Sequence, residues 1–242
     1  MSYYQKYRPR RFRDLVGQPE ISELLRGQVR RHRLGHAYLF AGPSGVGKTS
    51  TARILAMAAN CESPRAGEPC LKCSHCSSAL HAMSWDTIEM DAATFRGIDG
   101  IRDLQVRSMF TPLGNFKVYI LDEVHQFTQP AWDALLRLLE EPAAQQLTIM
   151  CTTRPDQMPE TAKSRCQVLN FEPITEQAMA VKLDEICRRE RVHSNGVVKF
   201  IASMAGGNLR TAENMLEQTV SFGIDRQPRK VRRFIQEKLV LS

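Results

Sequence analysis

The fold of this 242-residue chain is decided by one stretch, Gly42-Pro43-Ser44-Gly45-Val46-Gly47-Lys48-Thr49. The stretch fits G-x-x-x-x-G-K-[ST], a loop whose backbone N–H groups surround a polyphosphate. Its glycines allow tight curvature and let an anion approach the backbone. Lys48 would place its charge between the β- and γ-phosphates, and Thr49 would offer a hydroxyl to Mg²⁺. With the adjoining Ser50, these residues predict a binding site for a nucleoside triphosphate.

The flanks of this loop fit a strand and a helix. Residues 36–40 form a short apolar run typical of a buried strand, and residues 51–58 fit a helix whose N-terminus faces the phosphates. The alternative interpretation is a glycine-rich turn before an ordinary core helix. The order strand, loop, helix favours the nucleotide site.

Composition and charge restrict the class of protein. The chain is 43% hydrophobic and 24% charged, and no apolar run approaches the roughly 20 residues that span a bilayer. It starts without the hydrophobic segment of a signal peptide, so we expect a cytoplasmic protein without membrane contact. Residues 1–33 hold nine Lys and Arg against three acids, and residues 226–242 hold six against one. Such basic ends favour contact with polyanions, although a solvated charged face is the alternative.

Strands alternate with helices up to residue 172, a pattern that predicts a parallel sheet covered on both faces. Further strands are expected at residues 87–90, 117–121, 147–151 and 167–171. Helices are expected at residues 19–33, 100–110 and 130–141. From Pro173 onward the pattern changes to helices alone, at residues 175–190, 194–205, 208–222 and 228–239. We therefore predict an α/β nucleotide-binding domain over residues 1–172 and a small all-helical lid domain over residues 173–242.

Polar side chains follow two of the predicted strands. Asp122 and Glu123 come directly after residues 117–121, which places them at the carboxyl edge of the sheet, where open α/β sheets bind ligands. Asp122 would act on Mg²⁺, directly or through water, and Glu123 would polarise the attacking water. Thr153 ends a neighbouring strand and could hydrogen-bond the γ-phosphate or that water. An acidic pair can merely cap a loop, but its combination with the phosphate loop favours hydrolysis.

Four cysteines follow the phosphate loop with the spacing C-x8-C-x2-C-x2-C. They are Cys61, Cys70, Cys73 and Cys76. Four thiolates close a tetrahedron around one ion and leave no position open to water, so we predict a structural Zn²⁺ in an insertion of about residues 60–80. A disulfide pair, which is rare in the cytoplasm, and an iron–sulfur cluster are the alternatives.

Taken together, these motifs resemble bacterial DNA polymerase III gamma/tau subunits, which are clamp-loader ATPases of the AAA+ class. The resemblance runs nearly end to end through two domains. It rests on YRPRRF at residues 7–12, GPSGVGKT, the four cysteines, LDEVH at 121–125, LLRLLEEP at 135–142, SRC at 164–166 and GGNLR at 206–210. The cysteine spacing is specific to gamma/tau-like subunits among clamp loaders.

The resemblance implies an AAA+ P-loop NTPase fold with ATP, Mg²⁺ and structural Zn²⁺ as cofactors. It also implies roles that the residues alone do not give. Arg165 would be an arginine finger that acts in trans on the nucleotide of a neighbouring subunit. Thr153 would be the sensor-1 residue and Arg210 the sensor-2 arginine, while Val16 and Gly17 would line the adenine pocket.

The partners that the resemblance implies are other clamp-loader subunits, a sliding clamp and primed DNA. Arg96 and Arg102 would contact the DNA backbone without reading its sequence. The family's third domain, a helical collar, has no counterpart in these 242 residues, so we expect the isolated chain to be mainly monomeric. The predicted function is loading of a sliding clamp by ATP hydrolysis. A non-hydrolysing scaffold subunit and a P-loop kinase with a zinc-bearing lid are the alternatives.

Overall fold

A computed structural model of the chain describes residues 1–193, 196–225 and 227–239. Five strands form a single sheet in these residues. They are β1 (Ala37–Ala41), β2 (Thr87–Asp91), β3 (Lys117–Asp122), β4 (Gln146–Thr152) and β5 (Gln167–Asn170). Their order across the sheet is β2-β3-β4-β1-β5, and every neighbouring pair is parallel. The predicted parallel sheet is confirmed.

Helices cover both faces of this sheet. In the first part of the chain they are α1 (Tyr3–Lys6), α2 (Pro19–Arg30), α3 (Lys48–Ala59), α4 (Ser74–Leu80), α5 (Ile98–Ser108), α6 (Gln129–Glu140) and α7 (Glu160–Lys163). Successive strand residues face opposite sides, so Phe40 packs in the core with α2 and α3 while Leu39 packs in the core with α5 and α6. The three central strands, β3, β4 and β1, are buried and mainly apolar because helices cover both of their faces, whereas the edge strands β2 and β5 are partly exposed.

The last part of the described chain is helical, as predicted. Its helices are α8 (Glu176–Glu190), α9 (Val197–Met204), α10 (Leu209–Ser221) and α11 (Pro228–Phe234), and α11 continues into a π-helical turn at Ile235–Leu239. The predicted helix over 194–205 starts at residues 194 and 195, which lie outside the described residues. Arg226 and the final residues 240–242 also lie outside them. The proposed division at Pro173 falls between β5 and α8 and stays a prediction.

Some element bounds differ from the predictions. Helix α2 ends at Arg30 rather than at residue 33, and α5 runs from Ile98 to Ser108 rather than over 100–110. The Pro/Gly/Cys-rich stretch that follows α3 contains α4, a helix too short to leave a periodic apolar pattern. No helix among the described residues combines the length and the apolar character needed to cross a bilayer.

One backbone hydrogen bond joins the C-terminal helices to the phosphate loop. The Leu209 N–H at the start of α10 donates to the carbonyl of Gly45 (3.2 Å), while within the C-terminal part the Ile174 N–H donates to the carbonyl of Gly207 (3.1 Å). Tyr7, from the N-terminal segment, is part of the lid's own hydrophobic core. The cleft between sheet and lid is therefore built by three separate stretches of the chain.

Candidate nucleotide site and cysteine cluster

The phosphate loop joins β1 to α3 and depends on the backbone freedom of glycine. Gly42, Gly45 and Gly47 have φ values of +147°, +74° and +103°. A Cβ at Gly42 would lie 2.3 Å from the carbonyl oxygen of Phe171, and a Cβ at Gly45 would lie 1.7 Å from Asn208 Oδ1. These glycines thus permit both the curvature of the loop and the close approach of the lid.

Lys48 is buried in the loop that it terminates. Its side chain donates from Nζ to the carbonyls of Gly42 (2.8 Å) and Pro43 (2.7 Å), and the residue is 6% exposed. Burial lowers the pKa of this ammonium group. Among the described residues it forms no ion pair, so its charge is held by neutral carbonyls alone. A buried cation of this kind fits an anionic ligand such as a polyphosphate.

The hydroxyls and carboxylates expected around Mg²⁺ lie next to one another. Thr49 Oγ1 donates to Asp122 Oδ2 (2.6 Å), and Thr153 Oγ1 donates to Glu123 Oε2 (2.9 Å). Burial raises the pKa of Asp122, and a bound divalent cation would lower that pKa again by stabilising the carboxylate. Glu123 has a left-handed backbone, with φ +50°, directly after β3. The hydroxyl of Thr49 and the carboxylate of Asp122 suit Mg²⁺, which prefers oxygen ligands.

The cleft between sheet and lid brings the phosphate loop together with residues of both parts. Ser50 and Val16 line it, as do Asp122, Glu123 and Arg210. The Arg210 guanidinium carbon lies 5.6 Å from the centre of the Tyr4 ring. Gly17 is not among the residues that line the cleft, but it packs against one of them, because a Cβ there would lie 3.1 Å from Ile174 Cγ2, and its φ is +75°.

Sequence reasoning missed several residues of this cleft. They are Tyr4, Tyr7, Arg8, Asp91, Ile174, Lys182 and Glu213. The clearest omission is Glu213, which is 6% exposed. Burial raises the pKa of its carboxyl group to about 7. The sequence carried a signal for it. Glu213 follows Leu209 by four residues and precedes Leu216 by three, so helical spacing places this acid on the apolar face of α10.

Arg165 does not line the cleft that contains Lys48. It lies between α7 and β5 and donates to the carbonyl of Thr161 (2.7 Å) and to Glu140 Oε1 (2.6 Å). Because strands bind ligands at their carboxyl edge, a residue that precedes β5 is at the opposite edge of the sheet from the phosphate loop.

Arg96 and Arg102 lie on an exposed surface. Arg96 Nε donates to the carbonyl of Ala93 (3.2 Å), and Arg102 forms a long pair with Asp99 (3.5 Å). Both side chains are therefore available to a ligand in solution, since contacts of this kind are weak at a surface.

The four cysteines converge on one point. All four Sγ atoms lie within 4.8 Å of one another, and Cys70 and Cys76 are 3.9 Å apart. A tetrahedral ZnS₄ centre with bonds of about 2.3 Å needs sulfur atoms roughly 3.8 Å apart, so the cluster fits Zn²⁺. The backbone N–H groups of Lys72 and Cys73 lower the pKa of Cys70 to about 6, which favours the thiolate that a metal needs.

Fold and site together define the class. A phosphate loop at the carboxyl edge of a five-stranded parallel sheet, closed by a helical lid, is the architecture of an AAA+ P-loop nucleotide-binding protein. A family model described as "DNA polymerase III, delta subunit" matches residues 17–175. The chain belongs to this family.

Curated relatives carry names from the same machinery. The chain is 42% identical over 230 residues to "DNA polymerase III subunit tau" of Bacillus subtilis, a match that covers 93% of this chain and 41% of the relative. It is 36% identical to "DNA polymerase III subunit tau" of Escherichia coli, over 92% of this chain and 36% of the relative. The chain thus spans about two fifths of the length of these relatives. The resemblance to gamma/tau subunits inferred from the motifs is confirmed.

Solved structures of the Thermotoga maritima protein RuvB share the fold. The one titled as a Holliday junction branch migration motor matches with a TM-score of 0.69 at 16% identity, over 95% of this chain and 72% of that chain. At this identity the likeness concerns the fold alone.

Proposed function

We propose that this chain is an ATPase unit of a replicative clamp loader, which uses ATP binding and hydrolysis to load a sliding clamp onto primed DNA. The observation that carries the proposal is the convergence of Lys48, Thr49, Asp122 and Glu123 in one cleft, with Thr49 bonded to Asp122 and Thr153 bonded to Glu123. Phosphoryl transfer needs neutralisation of charge, a bound metal ion and an oriented water molecule. Lys48 would supply the first, Thr49 and Asp122 the second, and Glu123 the third. Family membership and the named relatives supply the setting in replication.

The residues would divide the chemistry as follows. Lys48 would exchange its carbonyl partners for phosphate oxygens, and the backbone N–H groups of the loop would bind the same anion. A Mg²⁺ held by Thr49 and Asp122 would neutralise charge on the phosphates. Glu123 would orient the attacking water, and the hydroxyl of Thr153 would fix the position of that carboxylate until substrate binds.

Two arginines would act on the phosphate charge from different directions. Arg210 lies in the cleft itself and would act on the nucleotide of its own chain. Arg165 lies outside that cleft, so we assign it to the nucleotide of a neighbouring subunit. Association between subunits is then part of the catalytic mechanism. Val16 would contact the base, with Gly17 allowing the approach of Ile174 behind it.

The remaining assignments concern partners and structure. Arg96 and Arg102 would contact the phosphates of primed DNA, and other clamp-loader subunits and the clamp would be the protein partners. A Zn²⁺ held by the four cysteines would be structural, because four sulfur ligands leave no position for substrate. The chain would act in the cytoplasm, and its two domains would comprise residues 1–172 and 173–242.

Hydrolysis is tested by two substitutions in the cleft. Glu123→Gln should bind ATP like the parent and lose turnover by at least about 10²-fold, because the amide keeps the shape but cannot polarise water. Lys48→Ala should weaken ATP binding itself, since this ammonium contacts the phosphates in the ground state. Calorimetry measures the binding, and phosphate release in the presence of partner subunits and primed DNA measures the turnover.

An exposed acid on α8 provides the control, because Glu176→Gln changes the same charge outside the cleft and should leave both quantities unchanged. Parental turnover in both cleft variants would refute the proposed active site. ATP binding without turnover in the parent would favour a scaffold subunit, and phosphorylation of a small acceptor would favour a kinase.

A further inference from the structure

Glu213 is a buried acid that the proposed hydrolysis does not use. It lies on α10, lines the nucleotide cleft and is 6% exposed. Within the described residues its carboxylate accepts no hydrogen bond and forms no ion pair. The nearest cations interact elsewhere, because Lys182 pairs with Glu185 (3.2 Å) and Arg210 lies over the Tyr4 ring.

An unpartnered carboxylate in such a position is costly to the fold. Burying a charged or polar group without a partner costs free energy that a hydrogen-bonded partner removes. Because Glu213 lines the cleft, the hydrogen-bond donors of a ligand bound there can reach its carboxylate. A ligand that binds in the cleft and carries hydrogen-bond donors would therefore supply the partners that the Glu213 carboxylate lacks.

The direction of α10 indicates which part of a nucleotide meets Glu213. The helix starts at the phosphate loop, where the Leu209 N–H donates to Gly45, and Arg210 occupies its first turn. Glu213 follows Arg210 by three residues and is therefore about 4.5 Å further along the helix axis. In a nucleotide whose phosphates lie against the loop, the next group at that spacing is the ribose.

The chemistry of the ribose fits this position. Its 2′- and 3′-hydroxyls are two adjacent donors, and a carboxylate can accept from both with its two oxygens. The cleft is also lined by the apolar Val16 and Ile174, which suit the flat face of a base rather than a sugar.

We propose that Glu213 accepts hydrogen bonds from the ribose hydroxyls of the bound nucleoside triphosphate and thereby selects ribonucleotides over deoxyribonucleotides. The inference rests on the proposed ATP binding and adds a specificity-determining residue to it. Such a residue keeps deoxynucleotides out of the site where both pools are present.

The test compares binding of ATP, 2′-deoxy-ATP, 3′-deoxy-ATP and GTP by calorimetry at pH 8 in Mg²⁺. The parent should bind ATP about tenfold or more tightly than at least one deoxy analogue, the usual effect of a hydrogen bond to a charged acceptor. Glu213→Leu should bring ATP and both deoxy analogues within about twofold of one another. Glu213→Gln, which keeps one acceptor and the shape, should give an intermediate ratio. Glu176→Leu, an exposed change on α8, should discriminate like the parent.

Three outcomes overturn the inference. The first is equal affinity of the parent for ATP and for both deoxy analogues, and the second is parental discrimination in both Glu213→Leu and Glu213→Gln. A third outcome is that the variants lose selection between ATP and GTP while ribose selection persists, which would place Glu213 against the base. Failure of the parent to bind ATP at all would instead refute the proposed function, so the two failures are distinguishable.

Discussion

Two side chains of opposite charge are buried in the same cleft, and burial shifts each toward its neutral form. Desolvation lowers the pKa of Lys48 and raises the pKa of Glu213 to about 7. Lys182 and Arg210 pull the pKa of Glu213 down again without cancelling the effect of burial. Apolar side chains at these two positions would make the fold more stable than buried charges do. The presence of Lys48 and Glu213 is therefore better explained by binding of a ligand.

The pKa of Glu213 predicts how stability depends on pH. The group ionises near 4.5 in the unfolded chain and near 7 in the folded one. Below the lower value both states are protonated, and between the two values the unfolded chain ionises first, so the fold loses stability as pH rises. Glu213→Gln should therefore match the parent at pH 4 and exceed its free energy of unfolding by about 3 kcal/mol at pH 8.

Urea unfolding at pH 4, 5, 6, 7 and 8 measures this difference. Every other titrating group is common to parent and variant, so the difference isolates Glu213. The exposed Glu176→Gln should give a gap that stays within about 0.5 kcal/mol at every pH. A gap for Glu213→Gln that does not change with pH would contradict the burial of an ionisable carboxyl at this position.

Individual site residues could be predicted from the sequence where they belong to a short motif with a known chemical role. Lys48, Thr49, Asp122 and Glu123 were found because the loop and the strand end each carry a local pattern, and the structure places all four at one cleft. Glu213 has no motif around it. Helical spacing places it on the apolar face of α10, but its position in the cleft, between two parts of the chain, comes from tertiary packing.

Among the elements, the cysteine insertion has few buried apolar side chains of its own. It lies between α3 and β2, and its buried residues include Cys61, Cys76 and the acid Glu68. Glu68, inside this insertion, accepts from the N–H of Phe12 (2.8 Å) and of Arg13 (3.1 Å). The insertion therefore also holds the basic N-terminal segment against the sheet domain.

Replacing Cys73 by Ser should loosen this insertion locally. One thiolate of four is lost, so zinc content should fall from one ion per chain, and amide exchange should accelerate over residues 60–80 and at Phe12 and Arg13. The phosphate loop should keep its protection, because its contacts are with Phe171 and the lid. Elemental analysis and hydrogen exchange measure the two effects.

Cys166→Ser is the matched control, because Cys166 is a thiol outside the cluster. It should leave zinc content and exchange in the insertion unchanged. A parent protein that contains no zinc, or that contains iron instead, would contradict the assignment. Equal loosening of the phosphate loop in Cys73→Ser would show that the insertion is not an independent unit.

The elements were predictable to the extent that they are buried. All five strands were located within one or two residues. The three central strands are continuous apolar runs because both of their faces are covered, while the edge strands β2 and β5 are partly exposed and were recognised from shorter apolar stretches. Helix α4 was missed because its seven residues are too few to show a periodic apolar stripe. The strand order was not predictable from pattern at all, since β4 lies between β1 and β3 through contacts far apart in the chain.

At the scale of the whole molecule, the sheet separates Arg165 from the nucleotide site of its own chain. Gln167, the first residue of β5, is level with Tyr38 on β1, four residues before Gly42. At about 3.3 Å per residue, Gln167 lies roughly 13 Å below the phosphate loop, and Arg165 precedes it. Its guanidinium is moreover bonded to Thr161 and Glu140, away from the cleft.

This separation predicts complementation between two inactive chains. Arg165→Ala and Glu123→Gln should each lower ATP turnover, the first by roughly 10³-fold as for other arginine fingers. Mixed in equal amounts under conditions of association, they should recover activity, because a Glu123→Gln chain can supply its intact Arg165 to the intact Glu123 of an Arg165→Ala chain. Phosphate release from the mixture, compared with each chain alone, measures the recovery.

A double variant carrying both changes separates this recovery from a nonspecific effect of mixing. Added to Glu123→Gln, it offers no intact Glu123 at any site, so that mixture should stay inactive in spite of the same association. Turnover per chain in the parent should also rise with protein concentration, since each site then needs a second molecule. If the first mixture only equals the sum of its parts while parental turnover per chain is independent of concentration, Arg165 acts within its own chain. The Thr161 and Glu140 contacts would then have to break to let the guanidinium cross the sheet edge, which would make the observed arrangement an inactive one.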